Sequence, residues 1–221
     1  MTQVIAASGA ASRMRLVFGH LGGLLLVAAA GSAGCAESRT GWISLFDGGD
    51  MRSWKALRGS AGCENGALVL DGRQKDATIL AKGVGLRDGT VEVRALRRGP
   101  QPNGGPFTVA LRLQLRVNWR SVYFVCRPES VETCRASWRK QMPSPEGRAS
   151  IEPTDRAELW RFVMNEGAVQ CFRDGREVIS CADPAPCAGS VAITAARCRV
   201  EILSVRYRRG APPGNEPEHS P

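Results

Sequence analysis

Residues 158–208 constrain the fold of this chain more than any other segment. Short runs of alternating apolar and polar residues are separated there by Asn-Glu-Gly at 165–167 and Asp-Gly at 174–175. Alternation broken by turn residues is typical of antiparallel strands joined by tight turns. After residue 41 the sequence has no long apolar stripe with a helical period. We therefore predict an all-β fold for this 221-residue chain.

Two earlier segments show the strand pattern most clearly. In residues 106–117 every odd position is apolar, and residues 91–98 alternate in a similar way. Because side chains alternate between the two faces of a strand, we predict that the odd set lies in the core. If the two strands are neighbours in one sheet, their polar residues share a face, namely Glu92, Arg94, Arg112, Gln114 and Arg116. That face is either a ligand-binding surface or an ordinary solvent-facing one.

The rest of the domain is also predicted to be made of strands and loops. Strands are expected within 42–57, 63–70, 77–82, 119–127 and 131–139. Residues 140–156 contain three prolines and no periodicity, which predicts a loop. Trp160 alternates with Phe162 and Met164, and so we expect it in the core.

The N-terminal segment has the pattern of a secretion signal. Arg13 and Arg15 precede an apolar run at 16–30, which is shorter than the roughly 20 residues of a membrane-spanning helix. Small residues then lead to Cys35 and resemble the bacterial lipoprotein box, although Ser32 replaces its usual larger apolar residue. The resemblance implies that Cys35 is lipidated. An ordinary cleaved signal and a retained anchor are the alternatives.

These observations divide the chain into four parts. We predict a lipoprotein-type signal peptide at 1–34, a tether at 35–41, a β-sandwich domain at 42–209 and a disordered, proline-rich tail at 210–221. The predicted location is the bacterial cell envelope, on the periplasmic or outer-membrane side, and secretion is the alternative.

The eight cysteines favour an oxidising compartment. In a hairpin that turns at 174–175, Cys171 faces Val178, which argues against a bridge from Cys171 to Cys181. Two pairs flank short turns or loops and are disulfide candidates, namely Cys126 with Cys134 and Cys181 with Cys187. If Cys35 is lipidated, an odd number of thiols remains.

Composition excludes several function classes. The formal charge is +9, or +7 without Arg13 and Arg15, but the arginines are scattered and form no nucleic-acid-binding motif. We predict no nucleic acid partner; a solvated basic face, an anionic polysaccharide and an anionic lipid remain open. The only histidines, His20 and His219, lie outside the predicted domain, and no C-x-x-C pair occurs, so neither zinc nor a Ser-His-Asp triad is predicted.

Four segments together resemble the bacterial 3-keto-disaccharide hydrolase family. They are FDGGDMRSW at 46–54, ENGALVLDG at 64–72, DGTVEVRALRR at 88–98 and the closing block at 158–208. The resemblance covers roughly residues 42–208 and implies a concanavalin A-like jelly-roll sandwich of two antiparallel sheets, a fold that laminin-G-like domains share. In a jelly roll saccharides usually lie on the concave sheet. The family's Asn-Ser-Gly turn corresponds to Asn103-Gly104-Gly105, which makes Asn103 a candidate ligand-binding residue.

The expected catalytic carboxylates are largely missing. Glycoside hydrolysis uses two carboxylates that flank one bond, yet no carboxylate lies between Gly99 and Pro128. Glu92 is the one carboxylate on the predicted polar face and is the tentative catalytic residue. Glu129 and Glu132 fall at a hairpin tip, where solvation is the expected role. Elimination at a keto-sugar by one base and a metal would still suit the family chemistry.

The sequence contains two further kinds of candidate site. Asp47 and Asp50 could hold calcium, although Asp-Gly clusters more often form turns, and no other cofactor is predicted. Trp119, Tyr123 and Trp138 are the candidate aromatic platforms for a sugar, and each could equally lie in the core. The sequence therefore predicts recognition of carbohydrate or glycoconjugate. A 3-keto-glycoside hydrolase or lyase and a non-sugar interaction module are the alternatives, and the oligomeric state is left open.

Overall fold

The computed structural model describes residues 41–98, 105–113, 121–136, 144–184 and 186–210, all within the compact unit Gly34–Pro221. Strands are the only regular elements in these residues. They are β1 (Ile43–Phe46), β2 (Trp54–Arg58), β3 (Ser60–Glu64), β4 (Ala67–Asp71), β5 (Ala77–Ala81), β6 (Gly89–Arg98), β7 (Phe107–Leu113), β8 (Ser121–Cys126), β9 (Ser130–Ala136), β10 (Ser144–Ser150), β11 (Glu158–Asn165), β12 (Ala168–Arg173), β13 (Arg176–Ala182), β14 (Ser190–Ala195) and β15 (Arg199–Arg209). Across these ranges we find no helix with the length and apolar character needed to cross a membrane.

The strands form two antiparallel sheets. Sheet 1 has the order β13-β12-β11-β6-β15-β4-β3, and β1 also pairs with β15. Sheet 2 has the order β10-β9-β8-β7-β14-β5-β2. The prediction of an all-β fold with two antiparallel sheets is confirmed.

The inner faces of the two sheets meet in one hydrophobic core. Trp160 of sheet 1 is fully buried and meets Phe107 of sheet 2 edge to face, with 5.8 Å between ring centroids. Phe162 and Phe124 form a second pair across the sheets at 5.1 Å. Such aromatic pairs stabilise the fold beyond the area that they bury. The prediction that Trp160 belongs to the core is confirmed.

An ion cluster is also buried between the sheets. The Glu158 side chain is 2% exposed. Its carboxylate forms ion pairs with Arg97 Nη2, at an N–O distance of 2.9 Å, and with Arg173 Nη2, at 2.7 Å. Trp160 Nε1 donates to the same carboxylate at 3.2 Å. Burial raises the pKa of Glu158, while the two guanidinium groups oppose that shift. Because a lone buried charge is costly, these partners are what make an acidic residue tolerable here.

Among the described residues, Glu92 and Arg94 do not share a sheet with Arg112. Residues 91–98 belong to β6 in sheet 1, whereas Arg112 belongs to β7 in sheet 2. The condition for a shared polar face, that the two strands are neighbours in one sheet, is therefore not met. The strict alternation of β7 is wrong as well, because Arg112 has a φ of +54° and the pairing with β14 shifts register there. This irregularity turns Leu113 away from the main core and towards Ala110 and Ala192.

The predicted loop at 140–156 contains a strand. β10 (Ser144–Ser150) pairs with β9 at the edge of sheet 2, and the register shifts between Pro145 and Gly147. An edge strand with a bulge tolerates proline, because the missing amide proton would have no outer neighbour to bond. For residues 144–150, the loop prediction from three prolines and the lack of periodicity is therefore wrong.

The hairpin turn at 174–175 has the expected geometry. Asp174 and Gly175 both have positive φ values, of 49° and 85°, as tight two-residue hairpin turns require. Arg173 faces Arg176 across the turn, but a bulge places Ile179 opposite Cys171, where the sequence predicts Val178.

The disulfide predictions are wrong. All seven cysteines of the described residues have free thiols. Cys126 faces the core, whereas Cys134 lies opposite Tyr123 on the other face of sheet 2, so the two sulfur atoms are on different sides. Cys181 packs against the core, and the Cys187 thiol instead donates to the Arg112 carbonyl, with 4.0 Å between sulfur and oxygen.

Candidate functional site

The outer face of sheet 1 carries an ion triad centred on Glu92. In the sheet register Glu92 lies opposite Arg161 on β11 and opposite Arg206 on β15. Its Oε1 accepts from Arg161 Nε at 2.7 Å, and its Oε2 accepts from Arg206 Nε at 2.6 Å. The carboxylate side chain is 2% exposed, whereas the arginines are 44% and 51% exposed. Both carboxylate oxygens are therefore occupied, and the arginines retain donors that face solvent.

Trp42 extends this triad into an aromatic surface. Since Ser44 on β1 pairs with Arg206, Trp42 lies just before β1 near the same end of β15. The Arg206 guanidinium carbon lies 4.6 Å from the Trp42 ring centroid, and that of Arg208 lies 5.0 Å from it. Cation–π contacts of this kind fix the orientation of the half-buried ring. Sequence reasoning passed over Trp42; a tryptophan just before the first strand was the available signal.

A groove of about 700 Å³ lies between these groups. Its wall combines two aromatic rings, two guanidinium groups, three carboxylates and two hydroxyls. The lining residues are Trp42, Ser44, Phe46, Asp47, Glu92, Arg94, Ala157, Leu159, Asp174, Ser204 and Arg206.

Arg94 occupies the next row of the groove. Its neighbours across the sheet are Leu159 on β11 and Ser204 on β15, so no carboxylate lies directly opposite it. Arg94 is exposed, and its side chain has no hydrogen bond or ion pair within the described part of the chain. Its guanidinium fork is thus available to a ligand, in contrast to that of Arg206.

The other two groove carboxylates differ in their contacts. Asp174 accepts the Leu159 amide at 3.0 Å and lies 3.9 Å from Arg156. Asp47 is exposed, and among the described residues its side chain makes no hydrogen bond or ion pair. Asp47 is therefore the groove carboxylate with free oxygens.

The described residues supply few ligands for calcium near Asp47 and Asp50. Asp50 is already paired with Arg52, with 2.6 Å between Oδ2 and Nε. Among residues 41–210, apart from the undescribed gaps, no three His, Cys, Asp or Glu side chains come together. Phe46 and Trp54, which carry part of the family resemblance, are buried, and Trp54 Nε1 donates to the Leu45 carbonyl at 3.0 Å.

Arg112 cannot take the ligand-binding role predicted for it. Its side chain is 1% exposed. Nε donates to the Arg87 carbonyl at 2.7 Å, Nη1 to Asp183 at 2.5 Å and Nη2 to Asp88 at 3.4 Å. Arg112 therefore ties three segments of the chain together and is a structural residue.

The remaining predicted site residues do not gather in this groove. Tyr123 is half-buried and packs on the outer face of sheet 2 against the small cluster of Ala110, Leu113 and Ala192. Glu129 is exposed, and Glu132 pairs with Arg127 at 3.3 Å. Four predicted ligand residues and one further platform candidate lie outside the described residues: Asn103, Gln114, Arg116, Trp119 and Trp138.

Comparison with solved structures identifies the type of β-sandwich. Neither a protein-family model nor a curated protein sequence matches this chain. Among solved structures, the carbohydrate-binding module CBM66 from Bacillus subtilis is similar at a TM-score of 0.56 and 15% identity, over 70% of this chain and 94% of that one. The fold is a concanavalin-like jelly roll.

Two further structures share this jelly roll. The exoplasmic domain of VIP36, in a Ca²⁺/Man3GlcNAc-bound form, matches at a TM-score of 0.58 and 12% identity, over 81% of this chain and 92% of its own. A putative glycosyl hydrolase from Parabacteroides distasonis matches at 0.56 and 14%, over 77% and 94%. At such identities the likeness establishes the fold alone.

Proposed function

We propose that this protein recognises carbohydrate or glycoconjugate in the groove of sheet 1. The observation that carries the proposal is the position of Trp42 beside Arg94, Arg206 and Asp47 in one groove. Support comes from the jelly-roll neighbours, of which one is a carbohydrate-binding module and another holds Man3GlcNAc.

The chemistry of the groove suits a pyranose ring. One face of such a ring is apolar and packs on an aromatic side chain, while its hydroxyl edges need hydrogen-bond partners. Asp47 and Arg94 supply charged acceptors and donors, which form stronger hydrogen bonds than neutral groups do. The volume of about 700 Å³ is within the usual range for small-molecule sites.

A glycan array followed by calorimetry tests this proposal. We expect Trp42→Ala to weaken binding of the best glycan by at least about tenfold, since the stacking surface is removed. Trp42→Phe retains a ring and should retain part of the affinity. Arg98→Gln is the matched control, because Arg98 lies on β6 outside the groove and pairs with Glu201. If a folded sample binds no glycan, the proposal fails and an interaction with a non-sugar partner takes its place.

Hydrolysis of a 3-keto-glycoside is the second function that we propose, because Asp47, Glu92 and Asp174 line the same groove. Glu92 has both oxygens held by arginines, so Asp47 is better placed to act as a base. The test is glucose release from a 3-keto-disaccharide. Asp47→Asn should abolish release, whereas Asp174→Asn should reduce it less, because Asp174 already accepts a backbone amide. Release that survives Asp47→Asn would contradict this assignment.

We further propose attachment to the bacterial cell envelope through a lipid on Cys35. The basic residues, the apolar run and the small residues before Cys35 support this, and all of them lie outside the described residues. Mass spectrometry of the mature N-terminus should find a diacylglyceryl-modified Cys35. An unmodified Cys35, or a mature chain that begins after it, would favour ordinary secretion.

Calcium at Asp47 and Asp50 remains a further proposal. If calcium binds there, it must displace Arg52 from Asp50. Titration with Ca²⁺ followed by calorimetry tests it, and heat that persists in Asp50→Asn would refute this donor set.

A further inference from the structure

Arginines outnumber carboxylates around the groove once the residues that contact its lining are included. The lining itself has two arginines and three carboxylates, and Arg156, Arg161 and Arg208, which contact lining residues from outside, bring the arginines to five. Glu92 lies between two of these arginines, and Asp174 lies near a third. Arg94 and Asp47 are therefore the charged lining residues without an ion-pair partner among the described residues.

Arg94 is the arginine of the groove lining that has no ion pair among the described residues. Its cross-strand neighbours are Leu159 and Ser204, whereas the equivalent neighbours of Glu92 are both arginines. The sheet thus compensates the charge of Glu92 and leaves that of Arg94 uncompensated. Within the described residues, no carboxylate lies within ion-pair distance of its guanidinium group.

The chemistry of a guanidinium group restricts the ligand. Its planar fork matches the two oxygens of a carboxylate in a bidentate pair. Arg206 lies two residues after Ser204 on β15 and is also exposed. It adds positive potential to the same groove. Asp47, which has no partner of its own among the described residues, remains to accept hydroxyl protons from the same ligand.

We infer that the preferred ligand is an acidic saccharide whose uronate carboxylate binds Arg94 while its ring lies against Trp42. This inference rests on the proposed carbohydrate-binding function and adds the chemical class of the sugar. It also gives a role to Arg94, which the ion pairs of the fold do not use.

Matched pairs of oligosaccharides test the inference. Each uronate-containing oligosaccharide is printed beside its carboxyl-reduced neutral counterpart, and the best pair is then measured by calorimetry. We expect the wild-type protein to bind the acidic member at least about tenfold more tightly than the neutral one. Arg94→Gln should remove most of the preference for the acidic member, whereas binding of the neutral member, which loses only hydroxyl hydrogen bonds to Arg94, should weaken much less. Arg98→Gln removes the same charge from the same strand outside the groove, and it should change neither.

Salt supplies an independent readout. Raising NaCl from about 50 to about 500 mM should weaken binding of the acidic member and leave that of the neutral member nearly constant. In Arg94→Gln the salt dependence of acidic binding should be reduced.

The outcomes separate this inference from the proposed function. Equal affinity for both members would overturn the inference while leaving carbohydrate recognition intact. An acidic preference that survives Arg94→Gln would overturn the assignment to Arg94. If folded protein, verified by circular dichroism, binds neither member of any pair, both the inference and the proposed function fail.

Discussion

Replacing Arg112 by alanine should destabilise the domain by about 2–4 kcal/mol. Breaking a fully buried ion pair by removing one partner costs about 3–5 kcal/mol, because the other charge is left without compensation. Here the two carboxylates that would lose their arginine partner, Asp183 and Asp88, are 14% and 29% exposed. They can recover part of their hydration, which lowers the expected loss.

Two companion variants separate the causes. Arg112 has a φ of +54°, a conformation that glycine adopts without strain. We therefore expect Arg112→Gly to be about 1 kcal/mol more stable than Arg112→Ala. Asp183→Asn should destabilise the wild-type protein but stabilise Arg112→Ala, because in that variant it removes an uncompensated charge.

The assay is urea denaturation followed by tryptophan fluorescence and circular dichroism. Arg58→Ala is the control, since Arg58 is exposed on edge strand β2, and it should change stability by less than about 0.5 kcal/mol. The reasoning is refuted if Arg112→Ala loses less than about 1 kcal/mol, which is far below the cost of an uncompensated buried charge. It is also refuted if the effects of Arg112→Ala and Asp183→Asn simply add.

Three further predictions concern other parts of the fold. Gly189→Ala should destabilise by about 2 kcal/mol or more in the same denaturation assay, because an added Cβ would lie 2.3 Å from the Arg112 carbonyl carbon; a loss below about 0.5 kcal/mol would contradict this. The Asp71 carboxyl should titrate with a pKa of about 2 by NMR, because Arg73 donates hydrogen bonds to it. The stability that this pair adds is present above the ordinary aspartate pKa and lost as pH falls through about 2, and an unchanged pKa in Arg73→Ala would refute the cause. Among the described cysteines, the exposed Cys63 should be alkylated first in native protein, as peptide mass spectrometry can show, and equal labelling of the buried thiols would contradict the packing.

The closing block was predictable because its determinants are local. The Asp174-Gly175 turn needs two positive φ values, and its residues favour them whatever the rest of the chain does. The burial of Trp160 followed from alternation with Phe162 and Met164. Elements of this kind carry their own signal in adjacent residues.

The assignment of strands to sheets was not predictable in the same way. β6 and β7 are consecutive in the sequence, yet β6 pairs with β11 and β15, whereas β7 pairs with β8 and β14. Period-2 alternation shows which residues face inward but is identical for either sheet. For this reason Glu92 and Arg94 were joined with Arg112 in one hypothetical surface.

Only part of the candidate site could be predicted from the sequence, for a related reason. Glu92 and Arg94 were found from their strand, but Trp42 joins them only through the pairing of β1 with β15, which spans most of the chain. The positive φ of Arg112 likewise depends on β14 and on Asp183, both distant in sequence. No local pattern reports such contacts.

The arrangement of arginines indicates which charges serve the fold and which serve a ligand. Glu92 and Glu158 are both 2% exposed, and each accepts two arginines that come from other strands. Such clusters neutralise buried carboxylates, and they account for four arginines without any partner molecule. Arg94 differs from these arginines because its position in the sheet gives it no carboxylate to compensate. An exposed guanidinium group in a groove, beside an aromatic ring and a free carboxylate, is therefore where function should be sought first.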